Sequence, residues 1–308
     1  MILCTNTLAN ATGSIDITST ANGSFNSYLK SDTLHGQFEI SLFIDATVQS
    51  NTGGGFGYIY QNQGLSNQND IVNNILYLNV WHSWFPESLP GKLSLSLHSY
   101  QGSDRSGQTT SGNTPPQSNS SNLRVSSFID SLDIYNPVLS FMNYRKTFYI
   151  DVPFSHSTYS SSDSTIDKLK VKQWSPAIGT AFNNQYDWIQ LRAYSIDLSN
   201  DSRTPGIDHT NAYSLSWSHW FDKQPGTSLN QLTISVLNGK RLYAVDHESR
   251  KIYNLTDMQT ASLTIGAVWN KNTDSDWYMY FGYEQYKDVS TSERYNSVYV
   301  YTGLLTRW

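Results

Sequence analysis

Between Gln37 and Ser50 the chain alternates with a period of two. Phe38, Ile40, Leu42, Ile44, Ala46 and Val48 form one row, and Gln37, Glu39, Ser41, Asp45, Thr47 and Gln49 form the other. Phe43 is the single apolar residue in the polar row. Successive side chains of a strand point to opposite faces, so this spacing predicts a strand with one oily and one wet side. It is longer than the usual soluble strand of about 5 to 6 residues and reaches the about 9 to 11 tilted residues that cross a bilayer. Slipping the register by one would push Glu39 and Asp45 into hydrocarbon. Charges near the midplane cost roughly 2 to 4 kcal/mol each, somewhat less for acids, so the pattern assigns the faces.

The alternation recurs along the chain. A blurred first strand lies within Ser14 to Lys30, NTGGG at Asn51 to Gly55 reads as a reversal because glycine accepts positive φ, and Phe56 to Gln61 returns as a third strand. Leu76, Leu78, Val80 and Trp84 share a face of Ile71 to Phe85, and Leu93, Leu95 and Leu97 alternate with serines and His98. Gly102 to Asn122 is almost wholly small and polar and predicts a long loop; a domain linker is the competing reading. Leu123 to Ile134 reads as a strand, YNPVLS as a reversal, Tyr144 to Phe154 as a strand and Ser155 to Lys170 as a polar loop. Pro176 predicts a bulge within Gln173 to Phe182. Further strands follow at Trp188 to Leu198, Asn211 to Phe221, Gln231 to Lys240, Asp257 to Trp269, Asp276 to Lys287 and Asn296 to Trp308, with a charged loop around Asp246 to Lys251.

These segments predict an all-β chain of about 14 strands (roughly 12 to 16), with short turns alternating with long polar loops from Ile71 onward. In a closed antiparallel up-and-down transmembrane barrel that alternation separates a periplasmic end from an outer one. Closure is required because hydrocarbon offers no partner for an open strand edge. WHSWF at Trp81 to Phe85 and WSHWF at Trp217 to Phe221 both set aromatics just before a short turn, where a membrane-interface girdle would need them. Trp84, Trp217, Phe221, Trp269, Trp277 and Trp308 are the expected girdle.

Composition narrows the partners. Nine Trp and 21 Tyr in a 308-residue chain that is only 15% charged suit a water–lipid boundary, although sugar-binding proteins share the bias, and a soluble carbohydrate-binding β-sandwich is the rival fold. A formal net charge of −5 provides no basic field for nucleic acid. No apolar run approaches the about 18 residues of a transmembrane helix, which leaves barrel strands untouched. Met1 to Ala11 reads as the remnant of a secretory leader ending in Ala9-Asn10-Ala11, with residues 12–308 as one barrel domain. Cys4 is the only cysteine, and cleavage after Ala11 would leave no thiol.

The leader-like Ala9-Asn10-Ala11, the amphipathic strands across nearly the whole chain and the final NSVYVYTGLLTRW together resemble a Gram-negative outer-membrane β-barrel of the porin-like kind. The resemblance implies residence in the bacterial outer membrane, contact with its lipid, and recognition of the last strand by the barrel-assembly machinery. Trp308 stands where that class more usually ends in Phe.

Candidate chemistry is sparse. His82-Ser83, His98-Ser99, His156-Ser157 and Ser218-His219 are adjacent in sequence, so in a strand their side chains point to opposite faces. Asp208-His209 reads as solvated loop, and Asp163 and Asp167 as a loop with at most weak Ca²⁺ affinity. No cofactor, metal or catalytic residue is assigned, and no enzyme activity is expected. Glu39, Asp45, Arg145, Tyr149, Asp151, Arg192, Tyr278, Tyr280 and Glu284 are expected to line the lumen and set its selectivity. The alternative is that these groups pair and seal it. The expected function is a channel for passive diffusion of small hydrophilic solutes, with saccharides as one class. The rivals are an exopolysaccharide-export barrel and an outer-membrane barrel enzyme or adhesin.

Overall fold

The computed structural model describes residues 15–31, 34–48, 51–65, 70–106, 131–160, 167–199, 206–221, 228–253, 257–270, 274–289 and 292–308. The leader segment, Cys4, Asp163 and most of the Gly102 to Asn122 loop lie outside them. The strands are β1 (Ile15–Leu29), β2 (Leu34–Val48), β3 (Thr52–Leu65), β4 (Ile71–Trp84), β5 (Gly91–Ser106), β6 (Ser131–Asn143), β7 (Phe148–Ser160), β8 (Leu169–Trp174) and β9 (Ala177–Phe182). After them come β10 (Asp187–Leu198), β11 (His209–Trp220), β12 (Leu229–Arg241), β13 (Val245–Asp246), β14 (Lys251–Ile252), β15 (Met258–Asn270), β16 (Ser275–Lys287) and β17 (Arg294–Arg307).

All but β13 and β14 form one antiparallel wall. β8 and β9 are two halves of one stave between β7 and β10, which makes a ring of 14 staves. β1 closes it against β17 from Thr18↔Arg307 to Leu29↔Asn296. No edge is left open, as hydrocarbon demands.

The period-two rows fall as the register argument requires. Ile40, Leu95 and Ile265 are 44%, 46% and 45% exposed on the outer surface, and Leu78, Leu139, Leu191, Leu215 and Val300 continue the belt around the ring. The polar rows turn inward, where Glu39, Ser41, Gln61 and Asn79 are buried. Such a surface is stable only against lipid, because a soluble protein would bury those rows.

Trp84, Trp217, Phe221, Trp269, Trp277 and Trp308 all lie toward the end of the barrel where β17 finishes, and Trp269 stacks on Trp277 at 4.6 Å. Three of the indole N–H groups find partners: Trp217 donates to Asp187 Oδ1 at 3.1 Å, Trp277 to Thr302 Oγ1 at 2.9 Å and Trp308 to Ser19 Oγ at 3.1 Å. The two echoed motifs fold alike, with His82 edge-on to Trp84 at 4.7 Å and His219 edge-on to Phe221 at 4.6 Å.

Four sequence expectations are corrected. Gly53, Gly54 and Gly55 belong to β3 and carry no positive φ; a Cβ on Gly55 would sit 2.0 Å from Asp45 Oδ1, and one on Gly57 2.2 Å from the Phe43 ring. Glycine is used here to make room for side chains of β2 and β4 that lie across β3. YNPVLS is the middle of β6, not a reversal: a strand tolerates Pro137 where the ladder skips from Tyr135↔His156 to Val138↔Pro153. β7 runs through Ser160, well into the expected Ser155 to Lys170 loop. Pro176 interrupts the ladder without a bulge, since Ser195↔Trp174 and Arg192↔Ala177 lie three residues apart on both strands. Pro137, Pro153 and Pro176 thus fall on three neighbouring staves at nearly one level.

Candidate functional site

The lumen is crossed by a strap. The connection from β12 to β15 does not stand out from the barrel; its described part, residues 242–253, folds inward around the β13–β14 hairpin, and Leu242, Tyr243, Ala244 and Val245 are fully or almost fully buried. Gln173 of β8 treats the strap as a strand partner, donating from Nε2 to the Val245 carbonyl at 2.7 Å and accepting from the Val245 amide at 3.0 Å.

Charged side chains fasten the strap at both walls. On one side Arg192 of β10 donates to Glu248 Oε1 at 2.5 Å, to Asp151 Oδ2 at 3.2 Å and to the Ser175 carbonyl at 2.7 Å, while His247 Nε2 lies 2.9 Å from Asp151 Oδ2. On the other, Arg250 donates to Asp45 Oδ2 of β2 at 2.8 Å and lies over the Phe43 and Tyr77 rings at 4.6 and 5.0 Å. β2 is the second stave and β10 the ninth of 14, seven apart, so the strap spans a full diameter. Burial alone would raise the Glu248 carboxyl, but the Arg192 guanidinium, acting together with His247 and the Gln190 carboxamide, holds the group well below the usual carboxylate range.

The strap divides the lumen by chemistry. Toward β4–β12 it closes on a hydrophobic core in which Ile75, Tyr100, Ile134, Tyr159, Val171 and Ile196 are fully buried with Tyr243 and Val245 of the strap. Toward β15–β17 and β1–β3 it faces carboxamides, carboxylates and phenols around a cavity of about 50 Å³. There Gln61 Nε2 donates to Glu39 Oε2 at 2.7 Å, and Gln259 and Tyr286 donate to Glu284 at 2.9 and 2.7 Å. Tyr28, Tyr286 and Tyr295 cluster at the loop-side rim, with Tyr286 stacked on Tyr295 at 5.3 Å. Between the strap and the end that carries the Trp269–Trp277 stack the inner face has half-buried serines, among them Ser94, Ser96, Ser140, Ser214, Ser216 and Ser235. Small hydroxyl side chains leave that section open to water.

The chain was compared with known proteins. No known protein family and no curated protein matches it. Solved structures do. The P. putida toluene transporter TodX superposes with a TM-score of 0.54 at 10% identity, covering 97% of this chain and 90% of that one. The monoaromatic hydrocarbon channel CymD gives 0.53 at 12% identity over 96% and 88%. A bacterial polysaccharide outer membrane secretin gives 0.50 at 11% identity over 95% and 98%. The fold is that of outer-membrane barrels.

Of the residues expected in the lumen, Glu39, Asp45, Tyr149, Asp151, Arg192, Tyr278, Tyr280 and Glu284 point inward. Asp45, Asp151 and Arg192 meet through the strap, whereas Glu39 and Glu284 line the polar cavity. Arg145 does not belong: β6 ends at Asn143, whose Oδ1 accepts from the Thr147 and Phe148 amides at 2.8 and 3.0 Å, and this side-chain cap leaves Arg145 exposed in the turn. His209 pairs with Asp197 at 2.7 Å and is exposed, while Asp208 and Asp167 are exposed as well. The strap residues His247, Glu248, Arg250 and Lys251 escaped the sequence reading. Phe43, the apolar intruder on a wet row, was the visible trace of them, since it is the platform for Arg250.

Proposed function

We propose that the protein is an outer-membrane channel through which small hydrophilic solutes diffuse, with the strap narrowing the path to the polar sector of the lumen. The observation that carries this reading is the asymmetry around the strap: one side is packed like a protein core, the other keeps a polar-lined cavity above a serine-lined bore. Selectivity comes from width and from the mixed charges of Glu39, Glu284 and Lys251 at the narrow section, and no chemical step is involved. TodX and CymD are described as a toluene transporter and a hydrocarbon channel. The polar lining here favours hydrophilic cargo instead. A strap fixed to both walls also argues against passage of a polymer such as the polysaccharide in the secretin's description.

Planar bilayers test the proposal. Steady, ohmic conductance from the purified protein is expected, rising when Arg192 and Arg250 are both replaced by alanine. A barrel that inserts but passes no current in either form defeats it.

A further inference from the structure

We propose that the cavity between the strap and the walls β1–β3 and β16–β17 is a binding site for an uncharged polyhydroxylated ligand, taking the hydroxyl edge of one sugar residue or a short polyol. This deepens the channel reading above and rests on it for the ligand's route, but the site stands on its own geometry.

The protein leaves several polar groups around this cavity unmatched. Gln63 and Ser24 are 6% and 8% exposed, line the cavity, and among the described residues neither side chain has a hydrogen-bond partner. Glu39 is 8% exposed and spends Oε2 on Gln61, so Oε1 remains for the cavity. Lys251 lies over the Tyr299 and Tyr301 rings at 5.0 and 5.1 Å and holds no carboxylate within 4.0 Å among the described residues. Water completes these groups in the free protein, and the hydroxyls of a ligand can take its place.

The chemistry of the set selects the ligand. An anion would suit Lys251 but meet Glu39 and Glu284, and a cation would suit the carboxylates but meet Lys251. A hydroxyl both donates and accepts, so one ligand hydroxyl satisfies Lys251, another Glu39, and further ones the carboxamide of Gln63. The Tyr286 and Tyr299 rings, also in the lining, offer apolar faces for the C–H side of such a ligand. About 50 Å³ has room for roughly three to five waters, which a row of vicinal hydroxyls replaces one for one.

Isothermal titration of the whole protein in detergent, with glycerol, glucose and maltotriose as probes and glycine and inorganic phosphate as controls, tests the assignment. Saturable heat from glucose or maltotriose is expected. It should weaken at least about tenfold in both Gln63→Leu and Lys251→Met, whose folding is checked by heat-resistant electrophoretic mobility. Two positions on separate elements keep the test alive if one variant fails to fold. No polyol binding, equal binding in the folded variants, or glycine or phosphate binding more tightly than glucose overturns the site. Conductance on the same preparation separates the two readings: current without polyol binding retains the channel and sinks the site, and binding without current retains the site and sinks the channel.

Discussion

The two sectors beside the strap are built from the same kind of strand, within one closed wall and with one period-two alternation, yet one is filled and the other is not. Toward β4–β12 the inward row carries Ile75, Ile134, Val171 and Ile196, which pack on Tyr243 and Val245 of the strap. Toward β15–β17 and β1–β3 the inward row carries Gln37, Glu39, Gln61, Gln63 and Glu284, which face water. In a lipid barrel the outer surface is obliged to be apolar everywhere, so only the inner row is free to choose between core and passage. The strap is what turns that choice into two compartments.

The largest expected effect comes from placing a charge in the filled sector. Ile134→Asp should destabilise the barrel by several kcal/mol, seen as an earlier urea midpoint in lipid vesicles, because an unpaired carboxylate would sit among fully buried apolar groups. Ser24→Lys, on the wet side and opposite Glu39 in the β1–β2 ladder, should shift the midpoint much less, and equal shifts would erase the distinction between sectors. Next in size is Arg192→Met, which strands Asp151 and Glu248 without their common cation. Removing one member of a buried pair costs about 3 to 5 kcal/mol, and freeing the strap should raise single-channel conductance. Gly57→Ala should cost about 1 to 3 kcal/mol, since its Cβ meets the Phe43 ring that carries Arg250, whereas Gly54→Ala, whose Cβ lies 3.3 Å from the Asn79 carbonyl, should cost less. Smallest is the effect of mild acid. A carboxyl lowered by its partner contributes stability above its unfolded-chain value and loses it only as pH falls through the lowered one. The Glu248–Arg192 fastening should therefore survive from about pH 7 to about pH 5 with unchanged conductance steps.

Much of the wall was legible from alternation alone, because lipid outside and water inside are an extreme contrast written on adjacent residues. Ile40 beside Glu39 settles a face without any tertiary knowledge. Turn chemistry was less reliable: the Gly53 to Gly55 run looked like a reversal and is a strand floor under Asp45 and Trp81. The strap was illegible as such, since a loop that folds inward obeys neither period. Its composition held a hint, because Leu242, Tyr243, Ala244 and Val245 are too apolar for a solvated outer loop, and their charged neighbours looked like ordinary surface. Arg145 was misplaced because the strand expected from Tyr144 begins four residues later, at Phe148, and that shift moves its side chain from the bore to the turn.

The prolines at 137, 153 and 176 carry a mechanical consequence. Each removes an amide donor from the ladder, and together they align across three neighbouring staves. Stiffness around the girth is therefore uneven, and the wall has a built-in crease between β6 and β9. When bilayer thickness or lateral pressure changes, the cross-section should become oval along that crease, with amide deuteration fastest on its two flanks.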